Sequence, residues 1–508
     1  MRTVRALVRR IRDPRWDRVV LMAAIVMFAV ARAGRFEERD PYWQVRAGAE
    51  NLAGLPLARP DSWSWSPVAG DWYQNSAGWN DVLALAFQGA GYWGIFAVTA
   101  AMIAGYLCLV AVLAQRLGAR TLPGMAGMVV LIAGSLSMLS PRATLVVQVV
   151  ILAALALADS WARAWSKRLP AWAGGAFGLV CAGILSGIGN WAHLSFLTMA
   201  PALALGWALQ WLLYPIGPAR KVWLILGGTA GWLIGLLATP YGLAMGLERT
   251  SLVQQTCIGL ILEWSSPFQP GMDPKAVITV AIAVALALTM AAWLVRRWRS
   301  GRRCEAEPVL VVLSLAGIPA TLAGLWAVRF VGVGLLTLAP VAALAATDLV
   351  DALRRWVATR PASRWQEYVQ GSFWRPVLAA VTVVLITGAA WLGWQHSVPV
   401  EQPLVEMLPR GCRLMNSQTV AGPVILSRPD VKVWIDGRAD YFGRAHIEDT
   451  YAYYRAENPA LVPPGTTCVL LLDENDLPLA DALAQSPDWR LEARLSQYEL
   501  WLPSSDRP

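Results

Sequence analysis

Residues 92–115 read YWGIFAVTAAMIAGYLCLVAVLAQ, and Arg116-Leu117-Gly118-Ala119-Arg120 follows directly. A chargeless run of this length spans a bilayer as a helix, because lipid offers no partner for backbone N–H and C=O groups and about 20 residues cover the hydrocarbon core. The arginines at its end mark the cytoplasmic side. Similar runs recur at 19–33, 122–138, 144–161, 171–188, 194–215, 222–239, 276–295, 308–327, 330–349 and 376–394. The chain therefore reads as an α-helical polytopic membrane protein with about 11 transmembrane helices.

Composition agrees. Of 508 residues 56% are hydrophobic and 15% charged, against roughly 25% charged in soluble domains. The net charge of +9 is uneven: 10 basic and 16 acidic residues from Gln395 onward leave −6 there, and +15 before it. The surplus sits in short loops, Arg116–Arg120, Arg163–Arg168, Arg220-Lys221, Arg296–Arg303 and Arg354–Arg375, so it reads as a topology signal and not as a nucleic-acid surface. The basic N-terminus, Arg2 to Arg18, and the run after it resemble a signal peptide with Ala29-Val30-Ala31 as a cleavage site; we read a retained anchor, since more spans follow. The transmembrane part then covers 1–394, with a large first outer loop at 35–91. A small extracytoplasmic α/β domain covers 395–508.

Within that domain Pro423–Ser427 and Val431–Ile435 read as strands, Arg444–Glu457 as a helix, Thr467–Leu472 as a buried strand, Leu477–Gln485 as a helix and Leu491–Leu502 as a hairpin. The six cysteines show no metal-ligand spacing. Cys412 and Cys468 share the tail, where a disulfide or two free thiols are both open.

With the N-terminus cytoplasmic, the uncommon polar residues fall on the outer side: Glu37, Glu38, Asp40, Trp43, Gln44, Asp61 and Trp79 in the first loop, Arg142, His193 and Arg329 in short turns at span ends, and Tyr241, Glu263 and Trp264 in the long outer loop 240–275. Ionisable groups at span ends are costly unless they face a wet or partnered cavity, so the gathering suggests a polar cleft. Each residue also has a plainer reading. Asp40 is then a solvated carboxylate, Arg142 and Arg329 snorkel to headgroups, and His193 bonds a neighbouring helix. Tryptophans, 27 in all, then form an interfacial belt, and Asp436-Gly437-Arg438 is a turn with an ion pair.

The segments Asp40-Pro41-Tyr42-Trp43-Gln44-Val45-Arg46-Ala47-Gly48, Pro60-Asp61-Ser62-Trp63-Ser64-Trp65, Pro141-Arg142, Asn190-Trp191-Ala192-His193, Thr239-Pro240-Tyr241-Gly242, Glu263-Trp264-Ser265-Ser266-Pro267 and Trp434-Ile435-Asp436-Gly437-Arg438-Ala439-Asp440 are spread along the chain. Together they resemble bacterial multi-spanning proteins related to the GT-C superfamily of polyprenyl-phosphate-sugar-dependent glycosyltransferases. The resemblance implies sugar transfer on the outer face of the cytoplasmic membrane, with Asp40 as general base. Arg142, Arg329 and His193 would hold the donor phosphate, since guanidiniums stay charged and donate in a planar fork. Trp43, Gln44, Asp61, Trp79, Tyr241, Glu263 and Trp264 would line the substrates, with Asp436 and Arg438 in a tail loop beside them. Partners would be a lipid-linked sugar, membrane lipids and an envelope glycan, lipid or protein acceptor. No cofactor is demanded; a divalent metal at Asp61 or Glu263 stays open. So do a non-catalytic scaffold and a lipid or polysaccharide transporter, though the charges sit at outer span ends and no internal repeat is evident.

Overall fold

The computed structural model describes residues 14–34, 39–165, 168–358, 380 and 398–504. Glu37, Glu38, the first N-terminal arginines and, apart from Ala380, the span expected at 376–394 lie outside these residues.

Helix α1 (Pro14–Ala33) leads into the first loop, which holds α2 (Asp40–Leu52), a hairpin of β1 (Ala58–Pro60) and β2 (Asp71–Tyr73), and α3 (Ala77–Ala90). A helical bundle follows: α4 (Tyr92–Leu117), α5 (Thr121–Ala133), α6 (Ala143–Ala164), α7 (Ala171–Ala192), α8 (Phe196–Leu213), α9 (Pro218–Leu236), the short α10 (Leu243–Cys257), α11 (Pro274–Arg299), α12 (Glu307–Leu322) and α13 (Arg329–Ala358). Among the described residues seven helices are long and apolar enough to cross a membrane, those at α4, α6, α7, α8, α11, α12 and α13. Helix α5 is apolar but shorter. Arg15, Asp17, Arg18 and Arg32 in α1, and Arg220-Lys221 with several glycines in α9, make those two less apolar.

Helix α13 is the most enclosed span, packing on α5 and α12 and accepting a hydrogen bond at the Leu336 carbonyl from Tyr106 Oη of α4 (2.7 Å). One end of the bundle is tied by ion pairs of the arginine-rich loops: Arg116 and Arg163 on buried Asp159 (3.3 and 2.8 Å), and Arg297 on Asp348 (2.6 Å). The first loop and the tail occupy the other end. There Gly48 lets α2 lie directly on α3, since a Cβ would fall 2.0 Å from the Asn80 carbonyl oxygen.

The tail comprises α14 (Gln402–Met407), β3 (Arg413–Asn416), α15 (Ala421–Ser427), β4 (Lys432–Val433), α16 (Ala439–Tyr454), β5 (Cys468–Leu472), α17 (Asp473–Gln485), β6 (Trp489–Leu495) and β7 (Tyr498–Pro503). Its sheet runs β4-β3-β5-β7-β6, with β3 parallel to β4 and β5 and the last hairpin antiparallel. The strand expected at Pro423–Ser427 is helical instead. Pro423 sits in the first turn, where a missing N–H costs nothing, and Ala421, Gly422, Val424 and Ile425 are all buried, with Gly422 against the Arg39 backbone. The strand that takes its place, β3, was not expected. Cys412 and Cys468 form a disulfide.

Loop and tail share one hydrophobic core, in which Trp43, Ala47, Trp63 and Trp72 pack with Leu414, Val424, Val433 and Leu470. The loop also adds to the sheet edge: Trp65 N–H donates to the Val433 carbonyl (3.1 Å) and Val433 N–H to that of Trp63 (3.0 Å). Arg39 pairs with buried Glu401 at 2.8 Å across the same boundary.

Candidate active site

Where bundle, loop and tail meet, a cavity of about 320 Å³ opens. It is lined by Asp40, Trp43, Gln44, Arg142, His193, Glu263, Trp264 and Arg329, eight of the residues singled out from the sequence. Three turns bring them together. Asp40 starts α2, whose aligned peptide dipoles favour an anion there, and its Oδ1 accepts a hydrogen bond from Trp43 Nε1 (2.9 Å). His193 follows α7 in a turn pulled to the loop by Leu194 N–H donating to the Asn75 carbonyl (2.8 Å). Arg329 starts α13 in a turn joined to that of Glu263 by Val328 N–H donating to the Ser265 carbonyl (3.1 Å).

Glu263 stands between two guanidiniums, 3.1 Å from Arg142 Nη1 and 3.7 Å from Arg329 Nη1. Burial opposes its ionisation, but the two arginines outweigh this and hold its pKa below the usual value. Arg329 lies over the Trp264 ring, 4.0 Å from its centroid, a stacking that fixes the guanidinium plane. His193 is pushed down to about 4 by burial and by Arg329 and Arg142. It is therefore neutral at pH 7, and because Nδ1 accepts from Ser195 N–H (3.1 Å) its ring proton resides on Nε2. Three groups at this wall, two cationic and one neutral N–H, are hydrogen-bond donors.

The other candidates have structural tasks. Asp436 and Arg438 form a bidentate pair (2.6–3.0 Å), and Arg438 Nη1 reaches Asp61 at 2.7 Å. This buried guanidinium is boxed by Trp63, Trp72, Tyr441 and Phe442 at 4.5–5.6 Å, so Asp61, Asp436 and Arg438 rivet the loop to the tail. Trp79 is buried, donating to the Pro141 carbonyl (2.9 Å) and so setting the turn before Arg142. Tyr241 Oη donates to the Gln74 carbonyl (3.0 Å) and its ring meets Tyr73.

Sequence reasoning missed Gly437, Asp440 and Arg249, which also line the cavity. Gly437 touches the Asp40 carboxylate so closely that a Cβ would lie 2.0 Å from Oδ1. Asp440, on α16, is pushed up to about 6, chiefly by burial. Arg249 stacks 3.9 Å over Tyr73. Arg249 lies in the same outer loop as Glu263 but in no quoted segment, and Gly437 and Asp440 were in the quoted tail segment but carried no chemistry there.

Among the described residues no group of three His, Cys, Asp or Glu side chains converges as metal ligands would. Of the two metal candidates, Glu263 is flanked by two guanidiniums, which repel a dication, and Asp61 is bound by Arg438.

No family model and no curated protein matches the sequence. Solved structures do match the fold. ArnT from Cupriavidus metallidurans bound to undecaprenyl phosphate superposes with a TM-score of 0.55 at 12% identity, covering 96% of this chain and 97% of that one. The oligosaccharyltransferase AglB from Archaeoglobus fulgidus, in complex with an inhibitory peptide and a dolichol-phosphate, gives 0.53 at 13% identity over 97% of this chain and 75% of that one. The apo form of the oligosaccharyltransferase from the same organism gives 0.53 at 12% identity over 92% and 72%. At such identities the likeness is one of fold: the chain has a GT-C-like fold, a helical membrane bundle with a C-terminal sheet region.

Proposed function

We propose that the protein is a membrane glycosyltransferase that moves a sugar from a polyprenyl-phosphate donor to an acceptor on the outer face of the cytoplasmic membrane. The observation that carries this reading is the meeting, in one cavity, of a carboxylate on the first loop with two arginines and a neutral histidine from three bundle helix ends. A hydroxyl is a poor nucleophile unless a base takes its proton as it attacks. Asp40 accepts that proton while the acceptor oxygen bonds to the anomeric carbon and the bond from that carbon to the phosphate oxygen breaks. The leaving polyprenyl phosphate takes the electron pair and gains a negative charge. Arg142 and Arg329 face that charge with preorganised donors, and His193 adds the Nε2 proton. Glu263 spaces the guanidiniums and leaves the wall with a net positive charge. The match to structures that hold undecaprenyl phosphate and dolichol-phosphate supports a lipid-phosphate donor. The acceptor is an envelope glycan, lipid or protein.

The test is transfer of radiolabelled sugar from polyprenyl-phosphate sugars to envelope acceptors by the protein in proteoliposomes. Asp40→Asn should lower the rate by about 10²–10⁴-fold, the usual contribution of a positioned base, without weakening donor binding. Full activity in a normally folded Asp40→Asn protein would remove Asp40 from the mechanism.

A further inference from the structure

The cavity has a second polar surface that the mechanism above does not use. Gln44 Oε1, Thr144 Oγ1 and Gln148 Oε1 are buried, line the cavity and, among the described residues, have no hydrogen-bond partner. Gln44 and Gln148 are 7% and 5% exposed, so bulk water does not satisfy them. Buried polar atoms are almost always partnered, by protein, ordered water or a bound group. Three in one cavity, contributed by α2 and α6, make a built surface.

Their spacing gives that surface a place relative to the proposed chemistry. Thr144 and Gln148 lie four residues apart on α6 and share a face, as Asp40 and Gln44 do on α2. Gln44 is thus one helical turn from Asp40, a spacing of roughly 5–6 Å between Cβ atoms, and Thr144 follows Arg142 closely in the chain. All three orphans are uncharged. A carboxamide or a hydroxyl can both donate and accept, which is the complement of a sugar hydroxyl.

We propose that Gln44, Thr144 and Gln148 form the subsite that reads the hydroxyl groups of a neutral monosaccharide on the lipid-phosphate donor. This rests on the function proposed above and adds its substrate class. The phosphate is held by the arginine wall, and the sugar by these three side chains. A cavity of about 320 Å³ lies at the small end of ligand pockets, roughly 300–1,000 Å³, which suits one sugar ring better than an oligosaccharide.

Binding of undecaprenyl phosphate, bare and carrying glucose, mannose or arabinose, is to be measured on the full-length protein in nanodiscs. The wild type should prefer at least one sugar lipid to the bare lipid. The Thr144→Val/Gln148→Leu protein should lose that preference, by about tenfold to a hundredfold for two or three lost hydrogen bonds, while its affinity for the bare lipid changes less than twofold. Gln44→Leu, on a different helix, should give the same selective loss. A retained preference, an equal weakening of bare and sugar-linked lipids, or a wild type with no preference would each overturn the subsite. A wild type that binds none of these lipids would refute the donor class, and with it the function proposed above; bare-lipid binding that depends on Arg142 and Arg329 keeps that function even where the subsite fails.

Discussion

Replacing Gly437 with alanine should disable the proposed base without touching its chemistry. The added Cβ would lie 2.0 Å from Asp40 Oδ1, 2.9 Å from its Cγ and 3.1 Å from Trp43 Nε1. Gly437 has no left-handed φ, so alanine adopts its backbone without strain and the effect is steric. A non-bonded contact needs more than 3 Å, so the carboxylate must retreat by about 1 Å or Trp43 must release it. A displacement of 1 Å costs about 10²-fold in a rate that depends on alignment, whereas overpacking of this kind destabilises a fold by about 1–3 kcal/mol. The assay is the single-turnover transfer rate at saturating donor, with thermal unfolding in parallel. In an Asp40→Asn background the same substitution should cost nothing further, because the two changes act through one group. A folded Gly437→Ala protein that transfers within twofold of the wild type, or one that loses a further 10²-fold on top of Asp40→Asn, would refute the argument.

Two other consequences are open to measurement. Arg438→Ala leaves Asp61 and Asp436 facing each other without their shared cation, and removing one partner from a buried ion pair typically costs about 3–5 kcal/mol; thermal unfolding should fall and the loop–tail boundary become sensitive to protease, and an unchanged melting temperature would show that the rivet carries no weight. Asp440 has a folded-state pKa of about 6, above its ordinary 3.8, so the protonated state is the one the fold favours. Its contribution is fully present below about pH 4 and is lost as pH rises through 6. Asp440→Asn should therefore flatten the decline in thermal stability between pH 4 and 6, and identical pH profiles for wild type and variant would place the titration elsewhere.

The membrane fold was legible because its signal is local. A chargeless run such as 92–115 can do little but span, and basic loops such as Arg116–Arg120 fix which ends lie together. The arginine wall followed from the same logic, since Arg142 and Arg329 are ionisable groups at span ends, while Glu263 stood out as a carboxylate in the long outer loop. The tail was harder. Val424 and Ile425 suit a strand by composition, but they are buried against α2 as a helix, and so short an apolar run cannot distinguish the two. Asp61 was expected among the substrate contacts and Asp436 and Arg438 in a tail loop beside them, with a turn and an ion pair as the plainer reading; a charged residue bound in an aromatic box looks, in sequence, like one that awaits a ligand. What separates them is the partner, Asp61 lying 377 residues from Arg438, and no local pattern records it.

The same long-range pairing explains why the proposed base needs the tail. Asp40 lies on α2, and α2 buries Trp43 and Ala47 in a core completed by Val424, Val433 and Leu470. Without those tail residues α2 would expose that face and rely on the rest of the first loop and on the packing of Tyr42 and Val45 against Ile95 and Ala143, since isolated helices of 13 residues are marginal in water. The Arg438 rivet then presses Gly437 onto the Asp40 carboxylate, and α16, which Arg438 precedes, carries Asp440 into the same cavity. The bundle supplies the donor wall from the ends of α7 and α13 and the turn before α6, with the first loop bracing two of these turns through Trp79 on the Pro141 carbonyl and Leu194 N–H on that of Asn75. The carboxylate side is therefore the adjustable half of the site: its position depends on a loop and a tail that meet through side chains. Substitutions at the loop–tail boundary should accordingly act on the proposed transfer step more than on binding at the arginine wall, whose residues all come from bundle turns.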